Sequence, residues 1–263
     1  PVMTLCIVGA GAMGRWLAGT LVAAPPAFDL AFADTDSAAA ENAADAFGGE
    51  AVPLADGVPE GDRSFETVAL AVPMPAVAAA VADWAAHTES AMLDLTGAME
   101  TPVDAMREQL PDRERASLHP LFAPPRAPGN VALVADAVGP TLDPVLDALR
   151  DAGNDLFETT PAEHDEAMST VQAKSHAAVL AWALAGDDVR EEFHTPVSAG
   201  LADLAETVTE GDSGVYADIQ SAFGGADAVA DAAREIADAD GDSFADLYAE
   251  AAMNADTLSG GER

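Results

Sequence analysis

Short apolar runs alternate with helix-period segments through the first 160 residues. Residues 3–8 form an apolar run that suits a central strand covered on both faces. Residues 12–24 follow with helical spacing and meet Pro25-Pro26, which stops the helix. The same alternation predicts strands at 30–33, 67–72, 91–95, 116–119, 131–135 and 155–159. Helices are expected between them at 38–47, 75–86, 102–110 and 142–152, with Gly48-Gly49 and Gly153 at two of their ends and Pro75 at the start of another. From Pro161 onward the strand signal stops. A long helix is predicted at 162–185, then shorter ones at 187–193, 198–209, 215–223, 225–238 and 243–254. The expected organisation is therefore α/β: a domain over residues 1–160, a helical domain over 161–255 and a tail over 256–263.

The turn after the first strand reads Gly9-Ala10-Gly11-Ala12-Met13-Gly14, a G-x-G-x-x-G pattern that opens a helix. In that context the first glycine permits the tight turn, the second lets backbone approach a pyrophosphate, and the third lets helix and strand pack closely. The phosphates would meet free N–H groups at the positive end of the helix dipole. Gly9, Gly11, Ala12, Met13 and Gly14 are thus expected to hold a dinucleotide, in a Rossmann domain. Asp34 ends the second strand twenty residues past Gly14, where an acid meets a ribose 2′-hydroxyl. Asp36 is its rival for that role. A carboxylate there repels a 2′-phosphate and no Arg or Lys follows nearby, so NAD is favoured over NADP. Val72 and Pro73, and Leu95-Thr96, end later strands and are expected to flank the nicotinamide.

Composition narrows the partners. Lys and Arg number 11 against 46 Asp and Glu, a net charge of -35, with Lys174 the only lysine. Such a chain repels nucleic acid and anionic membranes. With 49% hydrophobic residues it is still expected to fold, and the acidity reads as adaptation to molar salt, where the Debye length is about 3 Å. Cys6 is the only cysteine, so neither an internal disulfide nor a thiolate metal cluster is expected, and no metal site is predicted. The sequence shows no basic apolar leader and no run of membrane-spanning length, so a cytoplasmic protein is expected.

Two features carry chemistry. Ser117-Leu118-His119-Pro120-Leu121-Phe122 puts a histidine at a strand end, where such sheets present ligands. Removing hydride from a carbon that bears a hydroxyl needs a proton acceptor near the oxygen, and imidazole has a suitable pKa. A structural histidine bound to a loop is the alternative. On the long helix, His164, Met168, Gln172 and His176 follow in steps of four, which would set them on one face.

These pieces resemble the prephenate dehydrogenase family, which includes the arogenate and cyclohexadienyl dehydrogenases. The matching segments are Gly9–Gly14, Asp94-Leu95-Thr96-Gly97, Leu118-His119-Pro120-Leu121-Phe122, Glu163-His164-Asp165 through Met168, Gln172 and His176, and Tyr216-Ala217-Asp218-Ile219. The resemblance implies an NAD-dependent oxidative decarboxylation of prephenate or arogenate, in tyrosine biosynthesis. It implies that His119 hydrogen-bonds the 4-hydroxyl, that Gln172 and His176 line the substrate pocket, and that the helical domain forms a homodimer. Three departures stand out. Gly97 falls where the family has a serine, and Thr96 is expected to supply that hydroxyl. Met99 stands where a basic residue is common. Ala199 stands where the family has its substrate-binding arginine, and Arg126 is the replacement expected, with Lys174 second. The alternatives are another two-domain dehydrogenase or reductase, of the β-hydroxyacid dehydrogenase or pyrroline-carboxylate reductase type, or a non-catalytic NAD-binding protein.

Overall fold

The structure is a computed structural model that describes residues 3–25 and 27–258. Pro26 and most of the predicted tail lie outside the described residues. The chain divides into two units, Pro1–Ala167 and Met168–Arg263.

The first unit is built on β1 (Met3–Val8), α1 (Ala12–Ala23), β2 (Phe28–Ala33), α2 (Ser37–Phe47) and β3 (Glu50–Ala51). A small hairpin follows, β4 (Leu54–Ala55) and β5 (Val58–Pro59), then β6 (Phe65–Leu70), α3 (Val77–Trp84), β7 (Thr88–Asp94) and α4 (Glu100–Gln109). The unit continues with β8 (Glu114–Pro120), β9 (Asn130–Ala137), α5 (Asp143–Asp151) and β10 (Asp155–Glu158). Eight strands form one sheet in the order β10-β9-β8-β7-β6-β1-β2-β3. All neighbours run parallel except β8 and β9, which are joined without a crossover helix and pair antiparallel. The strand order reverses beside β1, as expected of a doubly wound sheet with its ligand crevice there.

The period-2 alternation of side chains sorts the core into two layers. Leu5, Ile7, Leu93, Leu118 and Leu133 pack on one face with Leu17 and Leu21 of α1, Ala40 and Ala43 of α2, and Val145 and Leu149 of α5. Cys6, Val68, Leu70, Met92 and Val134 pack on the other with Val77, Val81 and Trp84 of α3 and Val103 and Met106 of α4. Cys6 is fully buried and its thiol is pushed far up in pKa by desolvation. The small hairpin is absent from the predicted elements. Its signal is the Asp56-Gly57 pair, where both residues have positive φ, 52° and 88°.

The helical stretch α6 (Pro161–Met168) gives way to a π-helical turn over Ser169–Lys174, and α7 (Ser175–Ala185) follows. The long helix expected at 162–185 thus carries a π turn, with His164 in the first unit and Gln172 and His176 in the second.

Beyond α7 the second unit contains α8 (Pro196–Thr209), α9 (Ser213–Phe223), α10 (Ala226–Asp238) and α11 (Gly241–Leu258). The helix expected at 187–193 is absent apart from a 3₁₀ turn, Glu191–Phe193. Asp187 and Glu191, and Asp188 and Glu192, would repel at the i,i+4 spacing of a helix. Residues 256–258, expected in the tail, are helical, and 259–263 are outside the described residues.

Candidate active site

The glycine turn has the geometry its sequence predicts. Gly9 has φ +100° and a Cβ there would lie 2.3 Å from the Ala71 carbonyl oxygen, so no other residue fits. A Cβ on Gly14 would lie 1.9 Å from the Gly9 carbonyl oxygen. At Gly11, by contrast, a Cβ would meet nothing within 4 Å, so the backbone here faces open space. Gly11 is the N-cap of α1 and offers no side-chain cap, so the first N–H groups of the helix are free to meet an anion. Ala12 is exposed and Met13 half-buried beside them. Val72 and Pro73 come one residue after β6, past Ala71, against whose carbonyl Gly9 turns.

Asp34 does more than its spacing predicts. Its Oδ2 accepts the Ala10 N–H at 2.7 Å and its Oδ1 accepts the Asp36 N–H at 2.9 Å. The carboxylate therefore braces the glycine turn while keeping lone pairs for further donors. Asp36 is committed elsewhere: its side chain accepts the Ala38 N–H and caps α2. The donors and shape at this turn fit a dinucleotide.

His119 sits near the C-terminal end of β8, 8% exposed. It shares its strand face with Ser117, away from Leu118. Its Nδ1 is 2.8 Å from His164 Nε2. His164, 3% exposed, turns its own Nδ1 to Asp165 Oδ1 at 2.7 Å. Asp165 also accepts the backbone N–H groups of Met99 and Glu100, at 2.9 and 3.1 Å, and so holds the start of α4. Burial alone would raise the Asp165 carboxyl, but the hydrogen bonds from His164, Met99 and Glu100 outweigh it and hold the group below its usual range. Burial, and then the neighbouring imidazole of His164, push His119 down to about 3, so it is neutral near pH 7. Its Nε2 points toward Gly97, where a Cβ would lie 3.6 Å away.

Thr96 departs from its expected role. It is 3% exposed, and its hydroxyl lies 2.6 Å from Asp94 Oδ2 and 3.0 Å from the Ala98 carbonyl. One hydroxyl proton serves those acceptors, so it is tied into the turn and not offered to a ligand. Arg126 lies in the exposed 3₁₀ turn Pro124–Arg126 just past the His-Pro segment, with no ion-pair partner among the described residues. Phe122 of that segment packs edge-on against Trp16 of α1, ring centroids 5.4 Å apart, tying the histidine turn to the helix that follows the glycine turn.

In the second unit, His176 packs edge-on to Tyr216 at 4.8 Å between ring centroids, and burial lowers its pKa. Among the described residues, Gln172 Oε1 and His176 Nδ1 are buried without a hydrogen-bond partner, and Lys174 Nζ reaches only Thr170 Oγ1, at 3.5 Å. The sequence does not reveal His164 and Asp165 as partners of His119. The available signal is the Glu163-His164-Asp165 segment itself, but its pairing with residue 119 is a long-range contact.

A glycine turn on a doubly wound sheet, with a neutral histidine at a strand end beside it, defines a Rossmann-type dehydrogenase with a helical second unit. No family model matches the chain. It is 29% identical to a 4-amino-4-deoxyprephenate dehydrogenase from Streptomyces pristinaespiralis, covering 93% of this chain and 89% of that one. The prephenate dehydrogenase of A. aeolicus, solved with hydroxyphenyl propionate and NAD+, superposes with a TM-score of 0.69 at 15% identity, covering 98% of this chain and 99% of that chain. Arogenate dehydrogenase from Synechocystis gives 0.61 at 15% identity, covering 97% and 100%. At that identity the two structures testify to fold alone. The chain is thus similar in fold to prephenate and arogenate dehydrogenases and in sequence to a 4-amino-4-deoxyprephenate dehydrogenase, an oxidoreductase.

Proposed function

We propose that this protein catalyses the NAD-dependent oxidative decarboxylation of a prephenate-type cyclohexadiene, prephenate or arogenate, to 4-hydroxyphenylpyruvate or tyrosine. The observation that carries the reading is His119: a neutral imidazole beside the glycine-turn sheet, its Nε2 left free toward Gly97. Bound NAD+ supplies the hydride acceptor at C4 of its nicotinamide. The backbone from Gly9 to Gly14 holds the pyrophosphate, Asp34 accepts the ribose hydroxyls, and Val72 and Pro73 border the cofactor. Asp34 without a neighbouring cation favours NAD over NADP. His119 Nε2 accepts the hydrogen bond of the ring's 4-hydroxyl and draws its proton as hydride leaves the same carbon. Carbon dioxide departs as the ring becomes aromatic, and His119 returns the proton to the phenolate oxygen, so the protein's main task is alignment. Arg126, unpaired and beside the histidine turn, is the cation offered to a substrate carboxylate. The assignment of Gln172 and His176 to substrate binding rests on the resemblance.

A second reading has an observation of its own. With Gly97 beside His119 Nε2 and the Thr96 hydroxyl spent, no side-chain hydroxyl stands where the family carries one. The sequence relative is named for a substrate with an amine at that ring carbon. The substrate here would then be 4-amino-4-deoxyprephenate.

The test is NADH formation in molar KCl with prephenate, arogenate and 4-amino-4-deoxyprephenate in turn. One of the three should turn over, and His119→Asn should lower its kcat by about 10²–10⁴. NAD binding without turnover of any of them would overturn the proposal, and an unchanged rate in the variant would remove His119 from its role.

The apolar side chains left open in the second unit, Leu184 at 87% and Val197 at 74% exposure among them, support a homodimer through that unit. The excess of acids supports a halophilic protein. The single buried cysteine, and the lack of any helix long and apolar enough to span a membrane among the described residues, suit the cytoplasm.

A further inference from the structure

We propose that His164 and Asp165 are positioning residues: together they hold His119 in the tautomer that carries its proton on Nδ1 and leaves the Nε2 lone pair facing Gly97. The inference deepens the proposed reaction and rests on it for its kinetic consequence, though not for its spectroscopic one.

The proton assignment follows link by link from the acceptor end. Asp165 receives two backbone N–H groups, from Met99 and Glu100, which suits an ionised carboxylate. A carboxylate only accepts, so His164 Nδ1, 2.7 Å away, must donate to it. In the proposed arrangement His164 is the neutral imidazole, whose one proton, on Nδ1, leaves Nε2 bare. The ring atom facing that lone pair at 2.8 Å is His119 Nδ1, which therefore donates. His119 is buried, so its single proton sits on Nδ1 and Nε2 is left as an acceptor. With His164 neutral, the opposite tautomer of His119 would set two lone pairs against each other at 2.8 Å in a buried place.

The arrangement also serves the reaction. When Nε2 takes a proton from the substrate, the cation formed on His119 donates through Nδ1 to an imidazole that is itself polarised by a carboxylate. No bond to His164 or Asp165 forms or breaks. Their effect is to keep the acceptor aimed and to make the transient charge tolerable at a buried site. The rings are edge-on, 73° apart with centroids 5.0 Å apart, so rotation of either imidazole breaks the chain of hydrogen bonds.

Nitrogen-15 spectra of the histidine side chains in the full-length protein, in molar KCl, read the tautomer directly, with His119→Asn identifying the signal. The expected result is a bare Nε2 and a protonated Nδ1 on His119. A main form protonated at Nε2, or an average of both forms, overturns the proposal. His164→Gln retains an acceptor for Nδ1 and should keep the tautomer, with kcat within about tenfold. His164→Leu removes it and should lose the tautomer preference and lower kcat by about 10²-fold or more, with KM for NAD unchanged. Equal losses in the Gln and Leu variants, or a change in NAD KM as large as that in kcat, would mark a structural role and also overturn it. A Leu variant that fails to fold leaves the wild-type spectrum and the Gln variant to decide. Failure of the substrate assignment would leave the tautomer result standing, so the two are told apart.

Discussion

Residues 3–167 bury complete side chains on both faces of the sheet, among them Phe32, Trp84, Leu93 and Met106, each under 2% exposed. In residues 168–258 the buried apolar side chains are only Met168, Ala173, Val208 and Ile219, while Leu184, Phe193, Val197, Tyr248 and Leu258 stand more than 60% exposed. The contrast follows from the elements. A parallel strand finds partners for both of its faces within its own sheet and crossover helices. A helix with apolar residues on more than one side needs a second surface, and the four described helices after α7 leave much of theirs uncovered. Charge sharpens the difference: the second unit carries 19 acids against 4 basic residues, the first 27 against 7. The α/β unit fills its own core, and the helical unit, as proposed, depends on salt and on a second copy.

Dilution of salt is the strongest way to test that contrast. In low-salt buffer the repulsion is no longer screened, and most of the helical signal of the second unit should be lost while sheet signal persists. Circular dichroism during dialysis from molar KCl checks this, and a spectrum unchanged in dilute buffer would defeat it. The next effect is confined to the first unit. Asp136 on β9 receives Arg107 Nη2 at 2.7 Å and Arg115 Nε at 2.9 Å, and Arg115 also donates to the carbonyls of Leu110, Pro111 and Arg113. Burial opposes the Asp136 charge, but the two guanidinium groups hold its pKa below the usual range. Asp136→Ala strands a mostly buried Arg115 and should cost about 3 kcal/mol in denaturant unfolding. A loss under about 1 kcal/mol would show the pair to be ornamental.

A matched pair of leucines compares the units residue for residue. Leu93→Ala, in the filled core, should cost about 2–5 kcal/mol. Leu184→Ala should change the stability of a dilute monomer by less than about 0.5 kcal/mol, yet weaken self-association in sedimentation. Equal costs for the two would mean the second unit has a core of its own.

The same contrast explains what is legible in the sequence. The glycine turn is legible because Gly9 and Gly14 are dictated by backbone a few ångströms away, and the place of His119 at a strand end because the residues before it read as a strand. The role expected of Thr96 fails because a short-range bond to Asp94, two residues back, competes for its hydroxyl. His164 reads only as a member of a helical stripe, since its bond to His119 spans 45 positions, and the π turn at 169–174 has no local signature. The segment 187–193 reads as helix by composition, and only its stacked acids argue otherwise.

The effect confined to a window of pH concerns Asp94, at the end of β7. Burial raises its carboxyl to about 7 even though Thr96 donates two hydrogen bonds that favour the ionised form. Its Oδ1 and the Oγ of its cross-strand neighbour Ser117 have no other partner, so a proton on Oδ1 directed at Ser117 would satisfy both. The sign follows from that. The folded state holds this proton up to about pH 7, whereas the unfolded carboxyl releases it near 3.8. The contribution to stability is therefore full below about 3.8 and is lost as pH rises through 7. Asp94→Asn keeps an acceptor for Thr96 and supplies a permanent N–H for Ser117. The difference in Tm between variant and parent should be near zero at about pH 4 and grow in the variant's favour by about pH 8. His119, whose depressed pKa weakens the fold as pH falls below its unfolded value, is present in both proteins and cancels from that difference. A variant that is less stable than the parent at about pH 8 would mean that Asp94 is ionised and held as a carboxylate, with Ser117 donating to it.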